Sequence, residues 1–158
     1  MATDGPAPGG RAWTRAEMII VAAGTLLVVD LVFAPWHRFA IDVDLEQFGI
    51  ALPSFRMDRR GIQNPQAFFG IASAVVAALM VVHVVATKVS SSVPRAEQLH
   101  LVAGAVVLGL VVAKLLANNG FLGIGAWAGI CLAAALAYGG FLLSQQTSAD
   151  TGRRVPTP

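Results

Sequence analysis

Cysteine is almost missing from this chain of 158 residues. With Cys131 alone, no disulfide can close within a monomer and no paired-cysteine metal or redox motif exists. Its place inside an apolar run leads to the expectation of a small buried apolar residue. Charge is scarce as well: 13% of residues are charged, against about 25% in soluble domains. The net charge is only +2, and the arginines are scattered without a basic stripe interleaved with aromatics, which excludes nucleic acid as a partner. No GxSxG, HExxH or Walker sequence occurs. Asp42-x-Asp44-x-Glu46 opens like a calcium loop, but Gln47 stands where glycine is required and Pro53 where the bidentate glutamate belongs, so an EF-hand is excluded. These gaps lead to the expectation of no catalytic residues, no cofactor and no metal, in a chain that is not an enzyme.

Hydrophobic residues make up 56% of the chain, more than a soluble core of this length absorbs. They fall into four runs, 18–35, 67–87, 99–117 and 121–143. Each is close to the roughly 20 residues an α-helix needs to cross a hydrocarbon core about 30 Å thick. The expected fold is an all-α membrane protein, a four-helix transmembrane antiparallel bundle, with helices at about 15–36, 65–88, 94–117 and 120–143. Arg11 and Arg15 before the first run could suggest a secretory signal, but the run is long, is interrupted by Asp30 and leads into Trp36-His37-Arg38 rather than a small-x-small cleavage site. An uncleaved first span follows.

Local signals set the expected helix ends. Thr14-Arg15-Ala16-Glu17 matches a capping box, Asn64-Pro65 pairs a cap with proline at the first helical position, Ser92-Val93-Pro94 plays a similar part for the third helix, and Asn118-Asn119-Gly120 closes it. Segments 1–13 and 144–158, rich in Gly, Pro and polar residues, are expected to be disordered tails. In the 37–64 loop, Ile41, Val43 and Leu45 alternate with Asp42, Asp44 and Glu46, and Phe48, Ile50 and Leu52 follow in shifted phase, which predicts a small folded cap built on a hairpin or paired ribbon. Arg56, Arg59 and Arg60 could pair with its three carboxylates. Basic residues near the span ends favour both termini on the cytoplasmic side and the 37–64 loop outside. Trp13 and Trp36 then fall near opposite interfaces and Trp127 in the outer half of the fourth helix.

In lipid, close approach through small residues is the main packing device. Spacing of four places Gly70, Ala74 and Ala78 on one ridge of the second helix, Ala105, Gly109, Ala113 and Ala117 on one ridge of the third, and Gly125, Gly129, Ala133 and Ala137 on one ridge of the fourth. These are the candidate helix-packing residues, within one monomer or between monomers.

Ionisable groups inside the spans are costly and mark candidate sites. Asp30 and Lys114 fall near one membrane face, and His83 and His100 near the other. Fourteen residues separate His100 from Lys114, which returns to nearly the same helix face, expected to point into the bundle. Asp30 and Lys114 read either as a proton or ion relay or as a structural ion pair with snorkelling. The histidines read either as haem ligands or proton carriers, or as interfacial imidazoles bonded to headgroups or carbonyls.

Arg15-x-Glu17 entering the first helix, the Pro35-Trp36 exit, Asn64-Pro65-x-Ala67-Phe68 and Ala137-Tyr138-Gly139-Gly140 resemble uncharacterised small four-span integral membrane proteins of actinobacteria. The resemblance implies a bacterial plasma (cell) membrane and brings no activity. The function expected from the residues is a non-enzymatic accessory or scaffold component whose partners are the lipid bilayer and either another protein or further copies in a homo-oligomer. The alternatives are an oligomeric small transporter or proton/ion pathway using Asp30, Lys114, His83 and His100, and, behind it, a haem-binding redox protein.

Overall fold

In the computed structural model, residues 12–41, 55–64, 66–90, 92–94, 96–117, 120 and 122–153 are described. They form four helices, α1 (Arg15–Phe33), α2 (Ala67–Val89), α3 (Glu97–Ala117) and α4 (Ile124–Arg153), and two strands, β1 (Pro35–Ile41) and β2 (Phe55–Arg60). All four helices are long and apolar enough to cross a membrane, α4 over Ile124–Gln146, as a multi-pass membrane protein requires. Hydrocarbon offers the backbone no hydrogen-bond partners, so long Val-, Ala- and Leu-rich runs satisfy it internally as helices. α1 packs on α2, α2 on α3, α3 on α4 and α4 back on α1, closing a ring. Ile20, Leu27 and Leu31 of α1, Met80 and Val84 of α2, Val107 and Val111 of α3 and Leu136 of α4 fill its centre. Outer positions such as Phe33, Phe68, Leu79, Leu99 and Leu116 are large, apolar and exposed, the surface a lipid solvent accepts. Cys131, expected to be buried, lies exposed on that outer surface of α4 instead, since an apolar run in lipid does not by itself turn a side chain inward.

The capping box forms as read: Thr14 N–H donates to the Glu17 carboxylate at 2.7 Å and Glu17 N–H to the Thr14 hydroxyl at 3.3 Å. Other helix ends depart from expectation for local reasons. α1 stops at Phe33 rather than near 36, because proline disfavours helical geometry in the residue before it, and Ala34 is extended at φ −77°, ψ 147°. α2 starts at Ala67, with Gln66 rather than Asn64 as its cap, in the left-handed region at φ 56°, ψ 46°. α3 starts at Glu97, three residues after Pro94, with its acidic residue in the first turn where the helix dipole favours it. α4 starts at Ile124 because Leu122 bridges to His37 and Gly123 N–H donates to the Trp36 carbonyl at 2.7 Å, holding that stretch extended. Its helix then runs through 144–153, a segment expected as tail, since no proline interrupts it there. Residues 1–11 and 154–158 lie outside the described residues, as do Asn118 and Asn119.

β1 and β2 pair antiparallel, from Pro35 opposite Arg60 to Ile41 opposite Phe55, with a register irregularity between Pro35 and His37. The alternating segment 42–54, with Asp42, Asp44 and Glu46, lies outside the described residues. The ribbon pairs its flanks. Arg38 sits 3.8 Å from Asp58, its cross-strand partner, and Arg59 donates to the Asn64 carbonyl at 3.0 Å.

Candidate functional site

Polar side chains gather at the two ends of the bundle. At the end holding the start of α1, the end of α2 and the start of α3, Lys88 Nζ lies 2.7 Å from the Glu17 carboxylate, with side chains only 8% and 13% exposed. Lys88 also donates to the Ala12 carbonyl at 3.0 Å and lies 5.3 Å from the Trp13 ring centroid. Beside it in the fold, His83 Nδ1 and His100 Nε2 are 2.8 Å apart, a direct imidazole to imidazole hydrogen bond between α2 and α3. His100 is 3% exposed, and its Nδ1 is buried without a hydrogen-bond partner among the described residues. Among the described residues no cysteine, carboxylate or further histidine joins the two rings in a set of three that could hold a metal ion.

The other end is organised around Trp36. The β1 irregularity turns this residue inward, where it is fully buried instead of lying in an interfacial belt. Its ring occupies a recess that glycines leave open: a Cβ on Gly129 would overlap Trp36 Cζ2, one on Gly125 would lie 2.9 Å from Cδ1, and one on Gly61 2.9 Å from Nε1. The indole N–H donates to the Asp30 carboxylate at 3.0 Å. Lys114, fully buried, donates from Nζ to the Gln66 carbonyl at 3.1 Å, while the Gln66 side-chain amide donates to the Ala117 carbonyl at 3.3 Å. The two bonds tie the start of α2 to the end of α3 and hold Gln66 in its left-handed conformation.

Asp30 and Lys114 thus take separate partners, Trp36 and Gln66, at the same end. His83 and His100 are brought into contact. His100 and Lys114 are both buried on one face of α3, with Gly104, Val107 and Val111 between them. The small-residue ridges fare differently. On α4, Gly125, Gly129 and Ala133 are buried, and Ala137 meets α3 at Gly104. On α2, Gly70 is buried against the Gly61 backbone, and Ala74 and Ala78 are half-buried. On α3 the ridge turns outward: Ala105, Gly109 and Ala117 are exposed, Ala113 is half-buried, and a Cβ on Gly109 would meet nothing within 4 Å. Gln66, Gly104 and the inward Trp36 escaped sequence reading. Gly104 alone carried a signal, four residues after His100 on the inward face.

His37, outside the spans, is also buried. Burial holds its imidazole below the ordinary range, the Lys114 ammonium and Arg59 act in the same direction, and a backbone hydrogen bond at Gly120 opposes them. The unfolded chain then takes up a proton that the fold resists, so stability is full above about pH 6.5 and declines as pH falls below it. The unfolding midpoint in detergent is expected to drop through that window, and His37→Gln to make the drop shallower.

No known protein family, curated protein or solved structure matches this chain.

Proposed function

We propose that this chain is a non-enzymatic accessory or scaffold component of a bacterial plasma membrane, an antiparallel four-span bundle with both termini cytoplasmic and the 37–64 loop outside. It acts on protein partners, or on further copies of itself, through its outer helix faces and that loop. One observation supports this reading over a conduit. Between His100 and Lys114, a rise of about 21 Å along α3, the inward positions are Gly104, Val107 and Val111, with both valines at most 1% exposed. The helix centre is closed by packed apolar side chains, and the ionisable groups lie at its ends.

In mild detergent the tagged chain is expected to purify with a stoichiometric partner or as a defined oligomer. An isolated monomer without a reproducible partner overturns the proposal. The transport alternative is separated by proteoliposomes: proton and cation fluxes are expected to match protein-free vesicles, both for the chain as it stands and for the folded Asp30→Asn, Lys114→Met double variant. A flux that the double variant abolishes would replace the scaffold reading with the conduit.

A further inference from the structure

We propose that His83 and His100 form a one-proton switch: the neutral pair fits the closed end of the bundle seen here, and the pair carrying one added proton does not. The reason lies in counting hydrogens on four ring nitrogens. Two neutral imidazoles carry two N–H groups, one of which bridges His83 Nδ1 and His100 Nε2 across 2.8 Å. If His83 were the donor, His100 would carry its hydrogen on Nδ1, a buried N–H with no acceptor. If His100 Nε2 is the donor, His100 Nδ1 holds only a lone pair, and His83 keeps its own hydrogen on Nε2. Buried orphan donors are rarer and costlier than under-used acceptors, so we assign the second arrangement.

Adding a proton changes the count to three hydrogens on four nitrogens. The bridge needs one nitrogen as acceptor, so every remaining nitrogen bears hydrogen, His100 Nδ1 included, whichever ring holds the charge. His100, charged itself or bonded to a charged His83, then aims an N–H into a space without an acceptor among the described residues, and burial makes that expensive. A second proton would break the bridge by putting two cations in contact. Relief requires an acceptor to reach His100 Nδ1. Glu97, half-buried and three residues earlier, is a neighbour on the surface of α3 and acts electrostatically on His100. Among the described residues, the other charged groups at this end are Arg15, exposed at the start of α1, and Glu17 of α1 and Lys88 of α2, which pair with each other; α4 has no charged residue from Ile124 through Gln146. Proton uptake is therefore coupled to rearrangement of the first turn of α3 around Glu97.

Histidine-ring 15N NMR on the full chain in lipid nanodiscs, in a His37→Gln background, tests this. Near about pH 8 both remaining rings are expected neutral with hydrogen on Nε2, and on lowering the pH towards about 5 the pair is expected to take up one proton, with hydrogen appearing on His100 Nδ1. Amide exchange over residues 100–104 should rise about tenfold over the same interval. Glu97→Gln should move both changes together to lower pH. Hydrogen on His100 Nδ1 already at the upper pH, two independent proton uptakes, or uptake with unchanged amide exchange would each overturn the switch.

Discussion

Gly129→Val is expected to unseat Trp36 and to cost about 3 kcal/mol or more, the upper end of what overpacking does. The added Cβ would overlap Trp36 Cζ2 and lie 2.8 Å from Cη2 and 3.0 Å from the Asp30 carboxylate. The ring has little room to retreat, because the Gly61 and Gly125 backbones approach it so closely on other sides that a Cβ on either would lie 2.9 Å from it. Truncating from the other direction, Trp36→Ala is expected to cost about 3 kcal/mol, near the lower edge for a buried aromatic. Lipid weakens the transfer contribution, leaving mainly lost contacts and the indole hydrogen bond to Asp30. The two changes should couple. In a Trp36→Phe background, where the clashing outer ring is gone, Gly129→Ala should be far better tolerated than with tryptophan present. Asp30→Asn keeps an acceptor for the indole and should be mild, whereas Asp30→Leu leaves the buried N–H unpaired and costs about 1–3 kcal/mol. Thermal unfolding in detergent reads the stabilities. Indole fluorescence in a Trp13→Phe, Trp127→Phe background reads the ring itself, with a red shift expected when Gly129→Val drives it out. Unchanged emission in a destabilised Gly129→Val would show that the clash is relieved elsewhere.

What was legible in the sequence follows from the strength of each physical signal. A run of some twenty apolar residues has one stable solution in hydrocarbon, so four helices could be read from composition and length. The Thr14–Glu17 box was legible because both halves of its reciprocal bond lie within one turn. Trp36 was not. Nothing nearby in sequence distinguishes a tryptophan at an interface from one turned inward, and its recess is built by Gly61, Gly125 and Gly129, far away along the chain. The α4 glycines were read as a seam for another helix, but two of them make room for an aromatic ring. Gln66 escaped for a similar reason: its left-handed backbone is held by Lys114 and Ala117, about fifty residues distant. Residue counting gave the shared depth of His83 and His100 directly, since their helices are joined by a short connection, but not the bond between the rings, which depends on the faces α2 and α3 turn to each other.

The third helix held two readings that geometry does not allow together, and they separate in one experiment. At about 100° per residue, a face centred on His100, Gly104, Val107 and Lys114 excludes Gly109, which lies on the far side of the helix. Inward ionisable groups and an inward small-residue ridge at 105, 109 and 113 were therefore rivals. The structure turns the polar face in: a Cβ on Gly104 would lie 2.8 Å from the Ala137 backbone, while one on Gly109 meets nothing. Gly104→Leu is accordingly expected to force α3 and α4 apart, at about 3 kcal/mol or more, because the obstacle is main chain and no rotamer change relieves it. Gly109→Leu should be neutral or stabilising by up to about 1 kcal/mol, since leucine favours the helix over glycine and its side chain enters lipid. Thermal unfolding of the monomeric chain in detergent reads both. A second measurement in bilayers then gives Gly109 a use of its own: if copies or partners associate along the outward ridge, leucine there disperses the assembly while leaving the monomer folded, and if the assembly survives, its contacts lie on another face.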